Sequence, residues 1–212
     1  MKLLSLIFLL WVFHQSNFAQ SNKFVASIFI NANGIEMQGE TNKFWQNVDG
    51  TVWGGLGSSL GVNVKKNILK NRFLKFEIRY IQKGTVYDYV NEYASRSVDL
   101  FKVNYIEIPL TFGIAFPHNK KVKSLEAGLS LARMFSSRSQ ITKLSGRSYQ
   151  ANTENFNDFD TSLIALMQFP AFTKHTNHLS VGIRCAYSLS SMHEFYTLRH
   201  LVYGVQLDYS FG

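Results

Sequence analysis

The chain has 212 residues and a formal net charge of +8; hydrophobic residues make up 46% of it and aromatics 15%, but charged residues only 17%. A water-soluble domain ordinarily carries about 25% charged residues, so the composition argues against one. The lone cysteine, Cys185, excludes an internal disulfide, and the length allows one domain.

Met1 and Lys2 give a positive start, Leu3 to Phe13 is an apolar run, and the chain turns polar from His14 around Ala19. The run is too short for a membrane-spanning helix and no stop-transfer pattern follows, so residues 1–19 are expected to be a cleaved secretory signal peptide. No lipobox cysteine follows it, and residues 20–212 form the expected mature domain.

Eight strands are predicted over that domain, at about 23–33, 52–65, 72–84, 100–115, 122–135, 161–173, 178–190 and 199–211. In the fourth, Asn104, Ile106, Ile108, Leu110, Phe112 and Ile114 share one face, while Val103, Tyr105, Glu107, Pro109 and Thr111 share the other. In the third, Leu74, Phe76, Ile78 and Tyr80 oppose Lys75, Glu77 and Arg79. This period-2 pattern runs beyond the common strand of about 5–6 residues and reaches the roughly 9–11 that a tilted strand needs to cross a bilayer. The last strand alternates most cleanly, with Leu201, Tyr203, Val205, Leu207, Tyr209 and Phe211 on one face. Pro109 removes a ladder donor and predicts a local distortion, and Gly128, Gly182 and Gly204 are expected to relieve crowding in a narrow interior.

Connection lengths alternate. Longer polar loops are expected over 34–51, 85–99, 136–160 and 191–198, and short turns over 66–71, 116–121 and 174–177. Transmembrane barrels have short periplasmic turns, longer outer loops and an even strand number. The expected fold is therefore all-β, a closed antiparallel eight-stranded up-and-down transmembrane β-barrel. Alternation alone does not say which face points inward, and a soluble lipocalin-like barrel has the same strand count.

The hairpin formed by EIRYIQKG (Glu77 to Gly84) and NYIEIPLTFG (Asn104 to Gly113) resembles the PorT-type outer-membrane β-barrel family. That resemblance implies a small barrel in the outer membrane of Gram-negative bacteria. It is nearly silent on activity, because such a family shares a scaffold rather than one reaction. The final residues Asp208 to Gly212 resemble the aromatic-ended signal read by the barrel assembly machinery, with Gly212 as one residue of departure.

With this orientation, the inner face carries Lys75, Glu77, Arg79, Glu107, Glu126, Arg184 and Asp208, a mixture able to pair off in an interior just wide enough for side chains. The short turns hold Lys65, Lys66, Lys70, Lys120, Lys121 and Lys174, expected to contact anionic lipid head groups at the periplasmic rim. Docking of an acidic periplasmic protein is the rival use of those lysines, and nucleic acid is not an expected partner. Two aromatic belts are expected: Trp45, Trp53, Tyr80, Tyr87, Tyr89, Tyr93, Phe101 and Tyr105 at the outer end, and Phe73, Phe76, Phe112, Phe116 and Phe169 at the other.

Ser190, Ser191, His193 and Glu194 are the one enzyme candidate, a lipid-cutting group at the membrane edge, but adjacency in a loop does not supply the required geometry. His175 and His178 bracket a turn without the third ligand a metal site needs. The GGLG at Gly54 to Gly57 lacks the Lys-Ser/Thr of a phosphate loop. The expectation is a non-enzymatic outer-membrane scaffold or binding module without a cofactor. A part in protein secretion or surface export is the first alternative, and lipid modification the second. The loop 136–160 is the expected surface for an external protein partner.

Overall fold

The computed structural model describes residues 24–39, 50–90, 96–117, 119, 121–143, 148–151, 156–174, 177–195 and 197–211. The expected signal peptide, 1–19, lies outside them. Nine strands follow in order: β1 (Phe24–Gly39), β2 (Gly50–Leu69), β3 (Arg72–Val90), β4 (Arg96–Ala115), β5 (Ser124–Lys143), β6 (Ser148–Ala151), β7 (Phe159–Lys174), β8 (Asn177–Ser188) and β9 (Leu198–Phe211).

Eight of them close a ring. The order β4-β3-β2-β1-β9-β8-β7-β5 returns on itself through a β4–β5 pairing, and every neighbouring pair is antiparallel. Closure leaves no barrel edge with unpaired backbone groups, the condition for spanning hydrocarbon with strands. The short β6 pairs only with the far end of β5, from Ser139↔Ala151 to Thr142↔Ser148, and is no stave of the ring.

All eight predicted strands are present, but most run further at the long-connection end. β1 continues to Gly39, β2 starts at Gly50, β5 reaches Lys143, and within the loop expected over 85–99 β3 continues to Val90 and β4 starts at Arg96. Beyond the lipid-facing level both faces of a strand accept polar side chains, so the apolar alternation fades while the backbone ladder continues. The ladder, not the alternation, sets where these strands end.

The faces are sorted inside out. Leu74, Phe76 and Ile78 are 41%, 45% and 46% exposed on the outside, while Lys75, Glu77 and Arg79 between them are 3%, 0% and 1% exposed. The same holds on β4, where Ile106 to Ile114 face out at every second residue and Glu107 and Thr111 are buried. A soluble barrel would place these sets the other way round. Pro109 marks the expected distortion: the β3–β4 register runs from Phe76↔Leu110 directly to Arg79↔Glu107, with no pairs between. The ladder breaks there without slipping, because proline has no N–H to donate.

Glycine opens room for aromatic rings inside. A Cβ at Gly61 would lie 2.7 Å from Cζ of Phe29 and 2.8 Å from Cβ of Arg79, and one at Gly113 would land on the Phe73 ring. Gly61→Val is expected to lower the unfolding free energy by about 1–3 kcal/mol, the range for overpacking. Urea titration of the protein in lipid vesicles measures it, and an unchanged midpoint would contradict this packing.

Candidate functional site

The interior has two tiers. At the short-turn end, Lys75 Nζ lies 2.9 Å from Glu77 and also pairs with Glu126. Glu77 in turn accepts from Arg184 Nη1 at 3.1 Å, a contact that crosses the lumen from β3 to β8. The register sets Arg79 opposite Glu107, and Arg79 Nε lies 2.7 Å from Glu107 Oε2. Neutral donors satisfy remaining lone pairs: Ser130 donates to Glu107 at 2.7 Å and Thr111 to Glu126 at 3.3 Å.

Six of the seven residues expected inside are thus joined in ion pairs. Asp208 is buried there too, but it accepts from Asn63 at 3.0 Å and from Ser210 at 3.2 Å instead.

The second tier went unread in the sequence. Lys83 Nζ lies 2.6 Å from Asp160, which also accepts from Ser188 at 2.9 Å and Ser190 at 3.0 Å. Asp160 fell in an expected loop, yet it is the second residue of β7 and 1% exposed. Both residues share the inward parity of their strands, which was the available signal.

Around this pair sits an apolar cluster including Ile35, Ile81, Val103, Tyr105, Ile164 and Leu198. It adds an apolar tier to an interior for which only the charged residues were expected. Above the membrane level, the inside of the tube is an ordinary protein core. Met192 joins the cluster from the β8–β9 connection, held by backbone bonds Met192 N→Leu198 O at 2.8 Å and Asn157 N→Met192 O at 2.9 Å.

The lysines expected at the rim divide. Lys66 sits on the outer side with its Nζ 5.4 Å from the Phe24 ring centroid, and Lys70 and Lys121 are exposed. Lys65 is a correction: it has the inward parity of Asn63, and its Nζ lies 4.9 Å over the ring of Phe73, itself 1% exposed, inside the barrel mouth. Lys123, in the β4–β5 turn, joins it at that mouth and donates to Ser180 at 3.3 Å, and burial lowers its pKa. Lys120 and the side chain of Lys174 lie outside the described residues.

The aromatic belts need the same correction. Tyr105 and Phe73 point inward and are buried, as their parity with Glu107 and Lys75 requires. Tyr80, paired with Phe135 at 5.9 Å, stands outward at the long-connection end, and Phe76 and Phe112 stand outward nearer the other. Trp45 and Tyr93, and the side chains of Trp53, Tyr87, Tyr89 and Phe101, lie outside the described residues.

Ser191 builds a turn. Its Oγ lies 3.0 Å and 3.3 Å from the carbonyls of His193 and Leu198 and accepts the Leu198 amide at 3.1 Å. His193 Nδ1 accepts the Phe195 amide at 3.1 Å, and its ring meets Phe156 edge-on at 5.2 Å. Loss of hydration there lowers the His193 pKa, with Glu194 acting against it. His178 lies opposite Ser210 at the short-turn end, while His175 lies outside the described residues. Among the described residues, no three His, Cys, Asp or Glu side chains are grouped to hold a metal. Gly54 to Gly57 lies within β2, where its register with β3 shifts, not in a phosphate loop.

The family described as outer membrane protein beta-barrel domain matches residues 13–194. The chain belongs to that family. Membership, with the exposed apolar belt and closed ring, assigns this barrel to the outer membrane. The barrel is similar in fold to Neisserial surface protein A, with TM-score 0.45, 13% identity, and coverage of 89% of this chain and 98% of that one. It is similar to Ail of Yersinia pestis, with TM-score 0.42 and 12% identity over 89% and 99% of the two chains. OprG of Pseudomonas aeruginosa gives TM-score 0.39 and 9% identity over 90% and 96%. No curated protein sequence matches this one.

Proposed function

We propose that this outer-membrane barrel is a non-enzymatic scaffold or binding module, with a lumen that carries no solute and long connections that meet a partner outside. The observation behind this reading is the filled interior: an ion-paired tier tied across the lumen by Arg184 and Glu77, under an apolar tier roofed by Met192. The refolded protein in a planar lipid bilayer is expected to give no conductance steps above baseline. Stable porin-like steps would overturn the reading.

In the same proposal the signal peptide is cleaved, the chain ends lie in the periplasm, and the β9 end at Phe211 is read by the assembly machinery. The short connections suit the periplasmic side. With Cys185 replaced by Ser, a Ser148→Cys variant should react with an impermeant maleimide in intact cells. Reaction only after permeabilisation would reverse the orientation.

Lys66, Lys70 and Lys121 are proposed to contact anionic lipid head groups, each contributing about 1 kcal/mol. The triple Lys→Gln variant should then partition more weakly into anionic vesicles than wild type, and equally into neutral ones. Equal partitioning into both would remove the lipid role. A second reading, membership of a PorT-type secretion apparatus, is favoured by the EIRYIQKG and NYIEIPLTFG hairpin. It predicts loss of surface-exported proteins on deletion of the gene, and intact export excludes it.

A further inference from the structure

We propose that the outward face of β4 and β5, just past the apolar belt, binds the phosphate groups of an outer-leaflet glycolipid through Lys102, Arg133 and Arg138. This rests on the orientation proposed above.

The outward side chains of β4 are apolar from Ile114 to Ile106, then become Asn104 and Lys102. Those of β5 are apolar from Leu125 to Leu131, then become Arg133. The two runs stop within one outward pair of each other, because Arg133 is the register partner of Ile106, the last apolar residue of the β4 run. From Ile106 to Ile114 the strand has the length that crosses a bilayer, so the level of Arg133 is the hydrocarbon boundary.

Above it the register shifts at Asn104/Tyr105, with Met134 opposite Tyr105 and Ser136 opposite Asn104. The extra residue, Phe135, changes the parity of β5. Arg133 and Arg138 would otherwise face opposite sides; with the bulge both stay exposed on the outer face. Arg138 is then the direct cross-strand partner of Lys102. Like charges directly opposite weaken a ladder, and among the described residues no carboxylate bridges any of the three. The pair makes sense when an anion lies between them.

Depth and geometry identify the anion. The Arg133 guanidinium lies 5.9 Å from the Phe159 ring centroid, which holds the side chain against the barrel wall. Tyr80 donates to Asn104 at 2.8 Å and its ring lies tilted against that of Phe135, marking the same interface with aromatic rings. Lys102 and Arg138 stand one step higher, at head-group depth. Arginine forks match phosphate oxygens, two N–H groups to one phosphate. At this end β1 and β9 mix charges, with Glu36 bonded to Tyr203 at 3.0 Å and Arg199 to Tyr187 at 3.5 Å, whereas Lys102, Arg133 and Arg138 on β4 and β5 are all bases.

The test uses the full mature chain folded in neutral detergent micelles, where sidedness plays no part, with native mass spectrometry as the readout. Diphosphorylated lipid A should stay bound, and lipid A stripped of both phosphates should be retained roughly tenfold less. Lys102→Gln/Arg133→Gln/Arg138→Gln should lose retention of the phosphorylated lipid to the same degree. Equal retention of the two lipids by the wild type would overturn the proposal, and this comparison stands even if the triple variant does not fold. Wild-type retention by a folded triple variant would overturn it too. The maleimide experiment judges orientation separately, so the two can fail independently.

Discussion

Glu77→Ala is expected to lower the unfolding free energy of the barrel by about 3–5 kcal/mol, the cost of leaving buried charge uncompensated. Glu77 is the joint of the lower tier. It lies 2.9 Å from Lys75 and accepts from Arg184 across the lumen, and it is 0% exposed. Its loss leaves Lys75 with Glu126 alone and takes from Arg184 its only ion-pair partner among the described residues. The measurement is urea unfolding in vesicles, with exposed Glu194→Ala as the reference, expected within about 0.5 kcal/mol of wild type. Equal midpoints for the two variants would mean that water floods the lumen and screens its charges, contrary to the filled interior proposed here.

Leu110→Arg is the second large effect and probes the opposite face. Leu110 is 55% exposed in the middle of the outward run of β4, flanked there by Ile108 and Phe112. Arginine at the midplane of a membrane barrel costs about 2–4 kcal/mol, falling to about 0–1 near the interfaces. Ile114→Arg, at the short-turn edge of the same run, should therefore cost clearly less. If the face met water, both changes would be close to neutral. The depth dependence is the signature, since no soluble barrel produces it.

The strands and their faces were legible because the lipid-crossing stretches alternate strictly, and parity in β3 and β4 assigns each side chain to lumen or lipid. That parity also contained Tyr105, Phe73 and Lys65, which composition alone drew towards belts and rim. An aromatic or a lysine near a strand end reads as interfacial, but its face is set by its neighbours two positions away. Lys83 and Asp160 were hidden for a different reason. Asp160 lies just before the predicted start of its strand, at 161, where the strand end could not be seen; Lys83 lay within the predicted third strand but had no partner to meet while Asp160 read as loop. The ion pairs were legible as residue types but not as partners: Arg184 and Glu77 meet across the lumen, a contact fixed by barrel closure rather than by any spacing along the chain. The bulge at Phe135, which keeps Arg133 and Arg138 on one face, depends likewise on pairing between strands.

The central claim is an inside-out barrel that lives in the outer membrane. It is tested most directly by comparing boiled and unboiled samples of isolated outer membranes on a denaturing gel. A closed membrane barrel stays folded in the detergent and changes mobility only on boiling, so two positions are expected, with the protein confined to the outer-membrane fraction. A single position, with the protein recovered in the soluble periplasmic fraction, would contradict the membrane barrel and turn the apolar faces inward.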